Sequence, residues 1–164
     1  MAIITVDERN FQIKPRSADI PSLKNDEITD KSITERAIAR KRDGFGKAYG
    51  DVLLPPGLTV SGVVSEAVAS AYRQAGYEVV PDAGARDVTK VKVHIVEFWG
   101  WLSPGFFSLA VNNKSHLRIE SLEAADLKVV TRKRESMQVV TETDWKEITE
   151  GGLKEITRET FKQL

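Results

Sequence analysis

The sequence predicts an α+β domain: a mostly antiparallel β-sheet with two helices packed on one face. Three observations point to it. Two stretches place apolar residues at the i, i+3, i+4, i+7 spacing of an amphipathic helix. Three later stretches alternate apolar and polar residues with period two, as half-buried strands do. Short connections join those strands, which makes them a long meander followed by a C-terminal helix. With 164 residues, the chain fits one domain, residues 1–164, able to bury roughly two-thirds of its unfolded surface.

Ile3 to Val6 is a short strand rich in β-branched residues, closed by Asp7, Glu8 and Arg9. Residues 11–30 hold Pro15, Ser17, Pro21, Ser22, Asn25 and Asp26 without a sustained period, which predicts a loop free to move. Ile33, Ala37 and Ile38 support a short helix before the basic run Arg40-Lys41-Arg42. Asp43-Gly44 and Gly46 carry turn chemistry. Val52-Leu53-Leu54 pairs briefly before Pro55-Pro56-Gly57 stops it.

Val60, Val63, Val64, Ala67, Val68, Ala71, Tyr72 and Ala75 form one helical stripe. Thr59 or Ser61 can cap its start, and Gly76 suits the left-handed position beyond its end. Tyr77 to Val80 reads as a short strand stopped by Pro81-Asp82. Val91, Val93 and Ile95 then alternate with Lys92, His94 and Val96. Phe107, Leu109, Val111, Leu117 and Ile119 alternate with Ser108, Ala110, Asn112, His116 and Arg118. Leu127, Val129 and Thr131 alternate with Lys128, Val130 and Arg132, in a run that continues to Val139-Val140. Asn112-Asn113-Lys114-Ser115 is polar on both faces and predicts a bulge or bend. In the last helix, Asp144 as N-cap with Glu147 makes a capping box. Trp145, Ile148, Ile156, Phe161 and Leu164 form its apolar side. Gly151-Gly152 weakens it by about 1 kcal/mol per Gly relative to Ala, which predicts a kink or a close neighbour. The sheet face away from the helices carries Lys92, His94, His116, Arg118, Lys128 and Arg132, and is expected to meet solvent or a partner.

Composition excludes several chemistries. Cysteine is absent, so there is no disulfide framework, thiolate nucleophile, Cys-ligated zinc or Fe–S cluster. Lys plus Arg is 24 and Asp plus Glu is 24, a net charge of zero. That removes the usual footprint of a nucleic-acid binder, and no nucleic-acid partner is expected. Arg40-Lys41-Arg42 and Arg132-Lys133-Arg134 have acidic neighbours and no interleaved aromatics, so they read as solvated surface. No apolar run approaches the roughly 18 residues of a membrane span. The N-terminal apolar stretch is too short for a signal core. The chain is therefore cytosolic or one whose targeting segment has been removed.

No motif for an activated serine, a zinc protease or a Walker loop is present. Gly44-Phe45-Gly46 with Gly50 resembles a phosphate loop only superficially, because Asp51 follows and would repel phosphate. His94 and His116 lie on different strands and could approach each other. A zinc site needs a further ligand, and Glu97, Glu120 and Asp126 have no spacing that converges on them. No catalytic residue, metal ligand or cofactor is assigned. A small metal-dependent enzyme using His94 and His116 stands as an alternative function, as does a cytosolic nucleic-acid-binding domain.

One segment resists a bland account. Residues 98–107 hold Phe98, Trp99, Trp101, Phe106 and Phe107, almost half of all Phe, Trp and Tyr in the chain, at a hairpin connection carrying Pro104-Gly105. Tight turns usually take polar residues. Either the loop folds back over one end of the core, or it is an exposed aromatic knob for a partner, a ligand or a membrane interface.

The order of these features resembles the YajG-type family of bacterial envelope lipoproteins. Asp7-Glu8-Arg9 ends the first strand, and a Gly/Tyr segment runs from Phe45 to Gly50. An Ala/Val-rich helix enters Gly76-Tyr77-Glu78-Val79. A strand then reaches the aromatic hairpin, and a last strand leads into a C-terminal helix. The match spans roughly Ile3 to the end, but the family's lipidated cysteine is missing. The resemblance implies a non-enzymatic domain on the periplasmic face of the outer membrane, with a binding or assembly-accessory role. It implies an envelope protein or other envelope component as partner and supplies no catalytic residues. On this reading Phe98, Trp99, Trp101, Phe106 and Phe107 are the partner-binding residues, with contact at the membrane interface as one form of binding.

Overall fold

The structure, a computed structural model, describes residues 1–81, 84 and 86–164. Its elements run β1 (Ala2–Asp7), α1 (Lys31–Thr34), β2 (Ala37–Arg42), β3 (Ala48–Leu53), α2 (Val60–Gln74), β4 (Lys90–Pro104), β5 (Leu109–Ser121), β6 (Leu127–Met137) and α3 (Glu142–Gln163). The predicted class holds: a mostly antiparallel six-stranded sheet, with the β4–β6 meander running into the C-terminal helix. The strand order is β3-β2-β4-β5-β6. β1 lies parallel to the first half of β4, from Ala2 beside Lys90 to Asp7 beside Ile95. β2 lies parallel to the second half, with Ala39 beside Gly100.

The two long helices cover one face. α2 buries Val60, Val64, Val68, Ala71 and Tyr72, while α3 buries Trp145, Ile148 and Ile156. They close over Val91, Val93, Ile95, Phe98, Val111, Leu117, Ile119 and Val129 from the sheet. Thr59 caps α2 by accepting from the Gly62 N–H at 3.1 Å, and Gly76 takes φ 92° past its end. The α3 cap differs from expectation. Thr141 is the N-cap, and its N–H and hydroxyl donate to the Asp144 carboxylate at 2.6 and 2.8 Å. The box sits three residues earlier, with Asp144 at N3 and not at the N-cap.

Several local expectations are corrected. Ala37 and Ile38 belong to β2, because pairing with β3 and β4 outweighs a weak local helical pattern; only Lys31–Thr34 is helical. Tyr77 to Val80 is not a strand. Val80 makes one bridge to Ala2, since the chain passes only the end of β1. The predicted stop at Pro81-Asp82 reaches Asp82, which lies outside the described residues. Phe107 and Val139-Val140 fall outside the strands.

The bulge lies on β4, where one extra residue, Val96, enters between Ile95 and Glu97. Opposite it, β5 runs unbroken, and Asn112, Asn113, Lys114 and Ser115 are all buried. Each has a reason to tolerate burial or a cost in doing so. The Asn112 amide donates to the Ser103 hydroxyl at 3.0 Å and the Trp101 carbonyl at 3.3 Å. Lys114 pairs with Glu97 at 3.1 Å and Asp19 at 3.6 Å. The Ser115 and Thr131 hydroxyls share a hydrogen bond of 2.5 Å. Asn113 instead faces Gly152 of α3, where an added Cβ would lie 2.1 Å from Oδ1. The close-neighbour reading of Gly151-Gly152 therefore applies to Gly152. The helix itself runs unbroken from Glu142 to Gln163.

The segment 11–30 is not the free loop its sequence predicts. It crosses the opposite sheet face and pins Leu23 against Ala37 and Trp99, with Phe11, Ile28, Ile33 and Trp101 around them. The sheet therefore has a second, smaller apolar layer. The reason is the sequence itself: β4 carries bulky residues on both faces after its bulge, and both faces need cover.

Candidate functional site

The aromatic segment divides into two populations. Phe98 faces the helices, Trp99 faces segment 11–30, and both are 0% exposed. The Trp99 indole N–H donates to the Ala18 carbonyl at 3.3 Å, and Phe11 meets the ring edge-on at 6.0 Å. These two residues are core, which corrects their assignment as partner-binding anchors. A strand alternates its side chains, so only residues past the end of β4 can leave both layers. Trp101 is half-buried, with the Lys114 ammonium 6.0 Å from its ring centre. Phe106 and Phe107 stand free, 93% and 83% exposed. Their rings meet edge to face at 4.8 Å. The turn below them is built: the Gly105 N–H donates to the Ser108 carbonyl at 2.7 Å. A Cβ on Gly105 would lie 2.7 Å from that same oxygen.

A second aromatic turn lies at the same end. β2 is parallel to β4, so Arg42 sits level with Ser103. The β2–β3 turn carries Phe45, 100% exposed. Asp43 shapes that turn by accepting from the Phe45 and Lys47 N–H groups, each at 2.9 Å. Gly46 supplies φ 82°. In the sequence Phe45 belongs to a turn and to the Gly/Tyr segment of the family resemblance, with no contact role. Two hairpin turns each holding an exposed Phe is a visible signal, but their shared end follows from the parallel β2–β4 contact.

The open face is less open than expected. His94 is buried, with Nδ1 hydrogen-bonded to the Glu8 carboxylate and Nε2 3.4 Å from Glu120. The contact with His94 holds the Glu8 carboxyl below its ordinary range, helped by Arg118 and Lys92. Glu8 and Glu120 take opposite nitrogens of one ring, so they do not converge on a point. His116 shares the face with Arg118 but lies across from Glu97. Among the described residues no group of three or more His, Asp or Glu is placed to hold a metal. Lys92, Arg118, Lys128, Arg132 and Arg134 are exposed, and Arg118 also pairs with Glu8 and Glu120.

Arg9 went without a role in the sequence. Its guanidinium is buried and donates to Asp7 at 2.9 Å, Ala37 O at 2.5 Å, Thr34 O at 2.8 Å and Phe98 O at 3.3 Å. It ties β1, α1, β2 and β4 together beneath a cavity of about 560 Å³. The Asp7-Glu8-Arg9 step was the available signal. A charge sealed this way positions backbone and is not free for chemistry.

This arrangement defines an α+β fold whose most accessible apolar groups are loop tips. No protein-family model matches the sequence, and no curated protein matches it. Among solved structures, an uncharacterized protein is similar with a TM-score of 0.52 and 9% identity, over 99% of this chain and 90% of that one. A minor lipoprotein from Acinetobacter baumannii is matched with a TM-score of 0.43 and 12% identity, over 62% of this chain and 81% of that one. The first likeness establishes the shared fold.

Proposed function

We propose that this chain is a non-enzymatic binding module of the bacterial cell envelope, acting at the periplasmic face of the outer membrane with an accessory role in binding or assembly. The β4–β5 turn is its contact site. The envelope placement rests on the sequence resemblance to YajG-type lipoproteins. The contact site rests on one observation: Phe106 and Phe107 stand 93% and 83% exposed on a turn held by its own hydrogen bond. Exposed aromatic pairs cost solubility and mark interaction surfaces. The sheet and two helices serve as a rigid scaffold, with Trp101 packed against the Leu23, Ala37 and Trp99 cluster.

Photo-cross-linking in cells tests this reading. A benzophenone side chain at position 106 is expected to give a discrete adduct with an envelope component. The same probe at Leu122, on the opposite end of the sheet, is the control. No adduct from position 106, or the same adducts from both positions, would sink the proposal.

A further inference from the structure

We infer that the end of the sheet carrying Phe45, Phe106, Phe107 and Val139 docks on an anionic lipid bilayer. This names the partner of the contact site proposed above and rests on that reading. The topology makes the argument. The β2–β3 turn and the β4–β5 turn lie at one end of the sheet because β2 and β4 are parallel. β6 ends there too, since Met137 pairs with Leu109 and Leu109 with Pro104. Val139, 71% exposed, follows two residues later. Neighbouring strands lie about 4.8 Å apart, so the three apolar tips form a row with steps of about 7–10 Å.

A row of separate convex tips suits a fluid interface. A folded protein would need a matching set of pits, whereas lipid closes around any protrusion. Bulky apolar side chains at loop tips can bury in the interfacial layer without unfolding anything.

Charge completes the match. Lys47 lies in the β2–β3 turn beside Phe45. Arg134 pairs with Asn112, three residues below the start of β5, and Arg132 pairs with Lys114, two further on. None of these three cationic side chains has an ion pair or hydrogen bond among the described residues. The acids at this end are engaged. Asp43 accepts turn N–H groups, Glu142 pairs with Lys41, and Asp144 caps α3. Glu135 lies on the helix face, across from Val111. Asp43 and Asp144 keep their charge, but Arg42 beside the turn and Lys133 on β6 add to the cations. Lys41, Arg42, Lys47, Arg132, Lys133 and Arg134 therefore outnumber Asp43, Glu135, Glu142 and Asp144 by two at this end, although the chain as a whole is neutral. Basic groups near an anionic surface add attraction that fades within a Debye length.

Co-flotation of the purified full chain with vesicles tests the inference. Binding is expected to phosphatidylglycerol-containing vesicles and to weaken strongly on pure phosphatidylcholine or in high salt. Each of Phe45→Ser, Phe106→Ser and Phe107→Ser is expected to weaken it by about tenfold, the loss that follows from burying one Phe less. Arg132→Gln with Arg134→Gln should remove the preference for anionic lipid, and Leu122→Ser should change nothing. Unchanged thermal midpoints verify folding, as these side chains are exposed. Failure of the wild-type chain to float with anionic vesicles would overturn the inference, as would equal binding by the Phe variants. A discrete protein adduct from position 106 without vesicle binding overturns the bilayer alone and leaves the contact site standing. Neither adduct nor flotation removes both.

Discussion

Gly152 and Asn113 make a contact that decides where α3 sits. A Cβ at Gly152 would lie 2.1 Å from the Asn113 Oδ1, while one at Gly151 would meet only the flexible stem of Lys133 at 3.4 Å. Two adjacent glycines therefore have opposite expected responses. Gly151→Ala should stabilise by up to about 1 kcal/mol through helix propensity. Gly152→Ala should destabilise by roughly 1–3 kcal/mol by overpacking. Asn113 is buried with neither amide atom hydrogen-bonded. Asn113→Ala should then remove a desolvation cost and, in the double variant, rescue Gly152→Ala. Urea denaturation of the four proteins checks this, and strict additivity would refute the contact. In sequence, Gly151-Gly152 signalled something unusual. Which glycine mattered could not be read there, because the partner is a residue on another element.

At the scale of elements, the β4–β5 hairpin separates residues that composition grouped together. Trp99→Ser should cost about 3–5 kcal/mol, since it empties the centre of the layer under segment 11–30. Phe107→Ser should stay within about 0.5 kcal/mol of the parent. Thermal unfolding of both variants measures the contrast, and a small loss for Trp99→Ser would refute the second layer. The run 98–107 was legible as aromatic and as a hairpin. Its division was not, because Val96 shifts the register of β4 and so resets which face each later residue takes. Asn112 to Ser115 are buried despite their polarity because this stretch of β5 is covered on both faces, by α3 at Asn113 and by segment 11–30 at Lys114. The helices and the meander were legible because their periodicity is long and repeated.

For the molecule as a whole, segment 11–30 is tied to the sheet at β3. Asp51 is nearly buried beside Arg40, 3.5 Å away, with Glu27 of segment 11–30 against it. Loss of water raises its carboxyl first, and the neighbouring Glu27 raises it further, from 3.8 to about 6. The native state thus holds this proton more tightly than the unfolded chain does. The stability it contributes is complete below about 3.8 and lost as pH rises to about 6. Relative to the parent, Asp51→Asn should gain stability as pH rises through that window. Chemical denaturation at several pH values reads the difference, and a constant difference would exclude the effect.

The sequence by itself determined the α+β class, the two amphipathic helices, the β4–β6 meander and the exclusion of thiol chemistry. Each of these follows from local pattern or composition. Only the tertiary structure decided that Phe98 and Trp99 are core, that segment 11–30 covers a second face, and that Phe45, Phe106 and Val139 share one end. Those outcomes depend on a register shift and on parallel pairing between strands far apart in the chain. Neither leaves a periodic trace in the residues they bring together.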